Sequence, residues 1–259
     1  GSVASGQILF DNQDLLTLEK DEFRRLRGNR LSIIFQDPAT TLNPTTTVGN
    51  QISEAYLLHH KHSRIKAHDL AIDLLGKVGI DDAYLIYDCY PHQLSGGMRQ
   101  RAIIAMALIC EPDLLIADEP TTALDTTVQA QILELLLDLQ DQYGMSILFI
   151  SHNLAVVSQL ADNVAVMYAG RVVEKARVTE LFEHPAHPYT LGLLRCLPKL
   201  EHVDRLAQIE GQPPDPASFP PGCRFAPRCP KAQDVCWQQY PDETTISEGH
   251  TANCWFPEQ

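Results

Sequence analysis

The chain has 259 residues, enough for one sizeable domain and an appendage. Hydrophobic residues make up 44% and the formal net charge is -13. That balance speaks against a nucleic-acid binder, whose footprint is basic, and against adsorption to anionic lipid. No apolar run approaches the ~18 residues of a membrane-spanning helix, and the first residues lack the basic-then-apolar pattern of a secretory signal.

In chain order, residues 7–10 read as a short strand followed by a turn at Asp11 and Asn12. Residues 18–27 carry apolar side chains at helical spacing, with Thr17 as the expected N-cap. Residues 31–35 form an apolar strand ending at Gln36. A glutamine at a strand's carboxyl end could reach a metal and a water, or simply face solvent in a loop. Residues 48–60 and 65–79 are helical by spacing, and Gly79 supplies the stop. His59, His60, His62 and His68 lie here without a carboxylate or thiol at ligand spacing, so a solvated helix end is the simpler account than a metal site.

Residues 94–125 read LSGGMRQRAIIAMALICEPDLLIADEPTTALD. Ser95, Gly96 and Gly97 open a helix over about 98–110. Such glycines admit close backbone approach, and a helix start favours an anion, although a plain cap would look the same. Residues 114–117 suggest a strand buried on both faces of a parallel sheet, ending in Asp118 and Glu119. Two carboxylates at such a strand end suit Mg²⁺ and a polarised water, or a solvated strand end. Residues 126–143 form a long amphipathic helix stopped by Gly144, 146–150 a further buried strand closed by Ser151 and His152, and 164–174 a hairpin around Ala169 and Gly170.

Taken together, LSGGMRQR, LLIADEP and TALD resemble the ATPase subunits of ABC transporters. The resemblance implies an α/β fold: an ABC ATPase nucleotide-binding domain with a largely parallel sheet and a helical subdomain at about 38–110, plus a small cysteine-rich C-terminal extension. The implied boundaries are 1–183 and 184–259. It implies a signature at Leu94, Ser95, Gly96, Gly97 and Gln100 that meets the nucleotide of an opposite subunit, and a D-loop at Ala123, Leu124 and Asp125. It also implies Gln36 on Mg²⁺ and the attacking water, Asp118 on Mg²⁺, Glu119 as general base, and His152 at the γ-phosphate. FQDP followed by LNP looks like the Q-loop of peptide-type subunits.

HPAHPYTLGLL resembles the segment after the core in oligopeptide, dipeptide and nickel importer ATPases. The proline-rich stretch after it, GQPPDPASFPPGC, reads as an extended linker. Cys223, Cys229, Cys236 and Cys254 follow with spacing that says only "soft metal". The resemblance to peptide importer ATPases implies a [4Fe-4S] cluster there, with Zn²⁺, free thiols or disulfides as alternatives.

The implied protein uses ATP and Mg²⁺ and pairs with a second ABC ATPase subunit, identical or homologous. It would serve two transmembrane permease subunits, indirectly an extracytoplasmic substrate-binding protein and no nucleic acid, at the cytoplasmic face of the inner membrane. It would energise uptake of di- or oligopeptides. Alternatives are a nickel or other small-solute importer, a soluble ABC ATPase acting on nucleic acid or ribosomes, or a redox module built on the cysteines. No G-x-x-x-x-G-K-[ST] phosphate loop occurs in the 259 residues, and the aromatic residue that stacks on adenine cannot be placed. In the family that loop precedes a strand like 7–10, so the expectation is a missing first part of the domain and weak or no ATP binding by these residues alone.

Overall fold

The computed structural model describes residues 3–36, 38–122, 124–197 and 208–258. They form two compact units, Gly1–Ile150 and Ser151–Gln259.

The first unit opens with β1 (Leu9–Phe10) and β2 (Gln13–Asp14), an antiparallel pair. Asp11 and Asn12 join them at φ of 51° and 60°, the left-handed pair that a tight hairpin needs and that Asp and Asn tolerate. Next is α1 (Lys20–Leu26). Its cap is Glu19 and not the expected Thr17, because Glu22 reaches back to the Glu19 N–H at 3.1 Å while the Thr17 hydroxyl donates to the Asp14 carbonyl at 2.9 Å. Then follow β3 (Leu31–Ile34), α2 (Pro38–Thr41), α3 (Val48–Leu57), α4 (Arg64–Lys77), α5 (Ala83–Tyr87), α6 (Gly96–Leu108), β4 (Leu114–Asp118), α7 (Thr126–Tyr143) and β5 (Ser146–Ile150). Helix α7 spans the residues its periodicity predicts, and Gly144 ends it at φ 63°.

The core of this unit joins α3, α4 and α6 to one face of the sheet through Ile52, Leu75, Ile103, Ile104, Leu108 and Leu115, all buried. Each such side chain contributes roughly 1.5–3 kcal/mol by leaving water. The histidines between α3 and α4 are ring partners: His60 and His62 stack on Tyr56 at 4.4 and 5.6 Å between centroids.

Strands β3, β4 and β5 are parallel and adjacent in that order. Period-two alternation sends Ile34, Leu115 and Ala117 into the core. The opposite face carries the in-register row Ile33, Ile116 and Leu148, with Ile33 and Leu148 exposed, as are Phe35 and Ile150 nearby. The expectation of strands buried on both faces is therefore met on one face.

The second unit contains α8 (Leu154–Leu160), β6 (Asn163–Tyr168), β7 (Arg171–Arg177), α9 (Val178–Glu183), α10 (Pro188–Arg195), α11 (Asp234–Gln238), β8 (Thr244–Ser247) and β9 (His250–Ala252). Its antiparallel sheet runs β6-β7-β9-β8, and Ala169 and Gly170 turn the first hairpin at φ of 48° and 78°. Glu174 of β7 pairs with Ala252 of β9. The expected division at 183/184 thus crosses one sheet, and the last residues complete that sheet instead of forming a cysteine-rich body of their own. Tyr168, Leu181 and Phe225 centre this unit's core.

Glu174 itself is 1% exposed. It accepts the Ala186 N–H at 2.7 Å, the His187 N–H at 2.9 Å and His250 Nε2 at 2.8 Å. A buried carboxylate is tolerated where partners fill its lone pairs in this way. Among the described residues no helix is long and apolar enough to cross a membrane.

Candidate functional site

The carboxyl ends of β3 and β4 are neighbours because Ile34 pairs with Ala117. Gln36 and Glu119 continue those strands and meet: Gln36 Nε2 donates to Glu119 Oε2 at 2.8 Å. Glu119 has left the extended conformation, with φ 46°, a region that costs a residue with a side chain on the order of 1–3 kcal/mol. Its N–H donates to the Ile150 carbonyl at 3.0 Å, which ties the bend to the end of β5. Asp118, the last residue of β4, lies opposite Ile150 on the open face of the sheet. Open parallel sheets use this edge for ligands, where loop residues from successive strands converge. The oxygens of Asp118, Glu119 and Gln36 are hard donors of the type Mg²⁺ prefers.

Ser95 caps α6 by accepting the Met98 N–H at 3.3 Å. Ser95 and Gly96 are exposed and Gly97 is half-buried. A Cβ on Gly97 would sit 2.9 Å from Val128 Cγ1, and one on Gly96 3.7 Å from Leu124 Cδ2. The glycines thus let the start of α6 lie against the start of α7. Asp125 caps α7 through the Thr127 and Val128 N–H groups at 3.1 and 3.0 Å. Ala123 of the expected D-loop lies outside the described residues, as does Asp37. Leu94 and Gln100 point inward: Leu94 is in the core, and Gln100 is fully buried with no hydrogen-bond partner for its amide among the described residues. His152 is exposed just after β5, where the second unit begins.

The cysteine expectation needs correction. Cys223, Cys229, Cys236 and Cys254 line one small apolar cavity with Phe225, Trp255 and Phe256. Yet among the described residues no group of three or more His, Cys, Asp or Glu is arranged to hold a metal ion. All four are free thiols. Burial pushes the thiols of Cys223 and Cys229 up, and that of Cys254 to about 11. Metal ligation needs thiolates, and apolar burial opposes them. The [4Fe-4S] assignment and the Zn²⁺ alternative are both withdrawn; these thiols act as small hydrophobes.

One feature of the site has no signal in the sequence. Thr122 Oγ1 donates to Glu119 Oε2 at 2.9 Å, a contact that depends on the bend at Glu119.

Comparison with known proteins accords with this geometry. Residues 2–122 match the ABC transporter family, and residues 173–236 match the family described as "Oligopeptide/dipeptide transporter, C-terminal region". The dipeptide transport ATP-binding protein DppD of Bacillus subtilis (strain 168) is 53% identical over 258 residues, 99% of this chain and 77% of the relative. The oligopeptide transport ATP-binding protein AppD of the same organism is 50% identical over 260 residues, 100% of this chain and 79% of the relative. Among solved structures, the ATP-binding cassette MJ0796, a dimer bound to ADP and Pi in a post-hydrolysis state, superposes with a TM-score of 0.61 at 25% identity, covering 68% of this chain and 74% of that one. The sheet-edge site, the signature turn and identity above one half over nearly the whole chain lead to one conclusion: the chain belongs to the ABC transporter ATPases, in the branch that carries the oligopeptide/dipeptide transporter C-terminal region.

Proposed function

We propose that this chain is the ATP-hydrolysing subunit of an ABC importer for dipeptides or oligopeptides. The observation that carries the reading is the contact between Gln36 and Glu119 at the carboxyl edge of the parallel sheet, in a chain half identical to dipeptide and oligopeptide transport ATP-binding proteins.

In this reading Glu119 takes a proton from the attacking water, and Gln36 holds that water and the carboxylate in line. Asp118 and the Gln36 amide oxygen supply protein ligands for Mg²⁺, which when bound neutralises charge on the transferring phosphoryl group. His152 reaches the γ-phosphate once nucleotide is bound. Ser95, Gly96 and Gly97 offer exposed backbone and a hydroxyl at the start of a 13-residue helix, chemistry suited to phosphate held by an opposite subunit. Leu124 and Asp125 join that turn to α7. A second ATPase subunit supplies the other half of each site. Two membrane subunits receive the work, an extracytoplasmic binding protein delivers the peptide, and the assembly sits at the cytoplasmic face of the cell membrane.

The test is Glu119→Gln in a form of the protein that carries the family's phosphate loop. ATP binding should persist while turnover falls ~10²- to 10⁴-fold, since the amide keeps the shape but accepts no proton. Turnover within a factor of two of the parent would remove Glu119 from the mechanism.

A further inference from the structure

Glu119 lies half-buried just past a strand end on a left-handed backbone, and a glutamate side chain has three torsions to fix. Two donors oppose that freedom, and both reach the same oxygen. Gln36 Nε2 comes from the end of β3 at 2.8 Å, and Thr122 Oγ1 from the turn beyond β4 at 2.9 Å. Thr122 is also bound to Glu119 through the backbone, its N–H donating to the Glu119 carbonyl at 3.3 Å. Residues 119–122 are therefore a turn closed twice, once by main chain and once by side chain.

We propose that Thr122 is a positioning residue for Glu119: its hydroxyl, with Gln36, pins Oε2 and so fixes the plane in which the carboxylate meets water. The catalytic consequence rests on the reading of Glu119 as the proton acceptor; the contact does not. Removing the hydroxyl takes away one of those anchors and frees the carboxylate to rotate, so orientation is lost and the rate falls.

The test uses Thr122→Val, which keeps the shape and removes the donor, and Thr122→Ser, which keeps the donor. The first measurement needs no activity. In this 259-residue chain, labelled with ¹³C at glutamate Cδ, the Glu119 signal is identified by its loss in Glu119→Gln. At fixed pH its relaxation should report a more mobile carboxylate in Thr122→Val, and the parent behaviour should return in Thr122→Ser. The second measurement is steady-state hydrolysis in the form carrying a phosphate loop. Thr122→Val should lower kcat ~10- to 150-fold, as expected for one hydrogen bond to a charged group. KM for ATP should stay within a factor of two. Thr122→Ser should restore both the relaxation and kcat. A merely structural role would lower folded yield without changing the relaxation of Glu119 or splitting kcat from KM. Unchanged Glu119 relaxation in Thr122→Val overturns the proposal. So does a more mobile carboxylate with unchanged kcat where Glu119→Gln is inactive. If Glu119→Gln keeps its turnover, the reading of Glu119 as base has failed, and the relaxation alone decides whether Thr122 positions it.

Discussion

Glu174 and Glu119 each accept several hydrogen bonds, and the two sites are built in opposite ways. Glu174 sits inside a regular strand, buried, and its partners are two backbone N–H groups and a histidine drawn from segments up to 76 residues away. Glu119 sits past the end of a strand, on a left-handed backbone, and its side chain accepts from an amide and a hydroxyl of adjacent loops. The first arrangement holds a fold together; the second fixes one side chain against its backbone preference. In the proposed mechanism it is strain at an open sheet edge, and not depth of burial, that marks the chemistry.

The contrast breaks most visibly at Glu174. Glu174→Ala leaves the Ala186 and His187 N–H groups and the His250 ring without their acceptor inside the second unit. Urea unfolding should register a loss of about 3–5 kcal/mol, the scale for uncovering one partner of a buried ionic network. A loss under about 1 kcal/mol would mean that water replaces the carboxylate, and the two glutamates would then differ less than the geometry says.

A smaller effect belongs to His187. Burial holds its pKa down at about 4, against the opposing pull of the Glu174 charge, and its Nδ1 accepts the Tyr189 N–H at 3.0 Å. The unfolded chain takes up this proton near pH 6.5, the native chain only near pH 4. The stability it contributes is therefore complete above pH 6.5 and is lost as pH falls between the two, by up to ~3 kcal/mol. His187→Asn keeps an acceptor for the Tyr189 N–H and should flatten unfolding free energy across that window. An unchanged slope would assign the acid lability to other groups.

The smallest effect is a gain. Glu119→Gly removes the side chain from a left-handed position, and chemical denaturation should show up to ~1 kcal/mol of added stability while hydrolysis is lost. A loss of stability would show that the contacts from Gln36 and Thr122 outweigh the strain.

Much of the fold could be read from local pattern. The 3.6-residue period gave α7 its limits from Thr126 to Tyr143, and Ala169 with Gly170 marked the hairpin between β6 and β7. The order of motifs from Ser95 to Asp125 pointed to the family. The misreadings share a cause, which is that the deciding contact was distant or conformational. Thr17 has the composition of a cap, but Glu22 was in reach of Glu19. The four cysteines share a cavity that spacing cannot describe, and burial there favours the protonated thiols of Cys223, Cys229 and Cys254 over the metal-binding form. The link from Glu174 to His250 joins β7 to β9 across residues with no common periodicity. Thr122 looked like one more polar turn residue, because nothing in DEPTT announces that the backbone bends at Glu119.

The open face of the β3-β4-β5 sheet bears on how the polypeptide behaves in bulk solution. Ile33, Phe35, Leu148 and Ile150 present aliphatic and aromatic groups side by side, the kind of surface on which dyes and chaperones settle. Sulfate would strengthen the drive to cover it. The net charge of -13 works against that drive, since like-charged molecules repel before two such faces can touch. Physiological salt shortens the reach of the repulsion to about 8 Å. Among the described residues, that bare sheet face and the chain's acidic charge therefore pull in opposite directions, and added salt shifts the balance toward association.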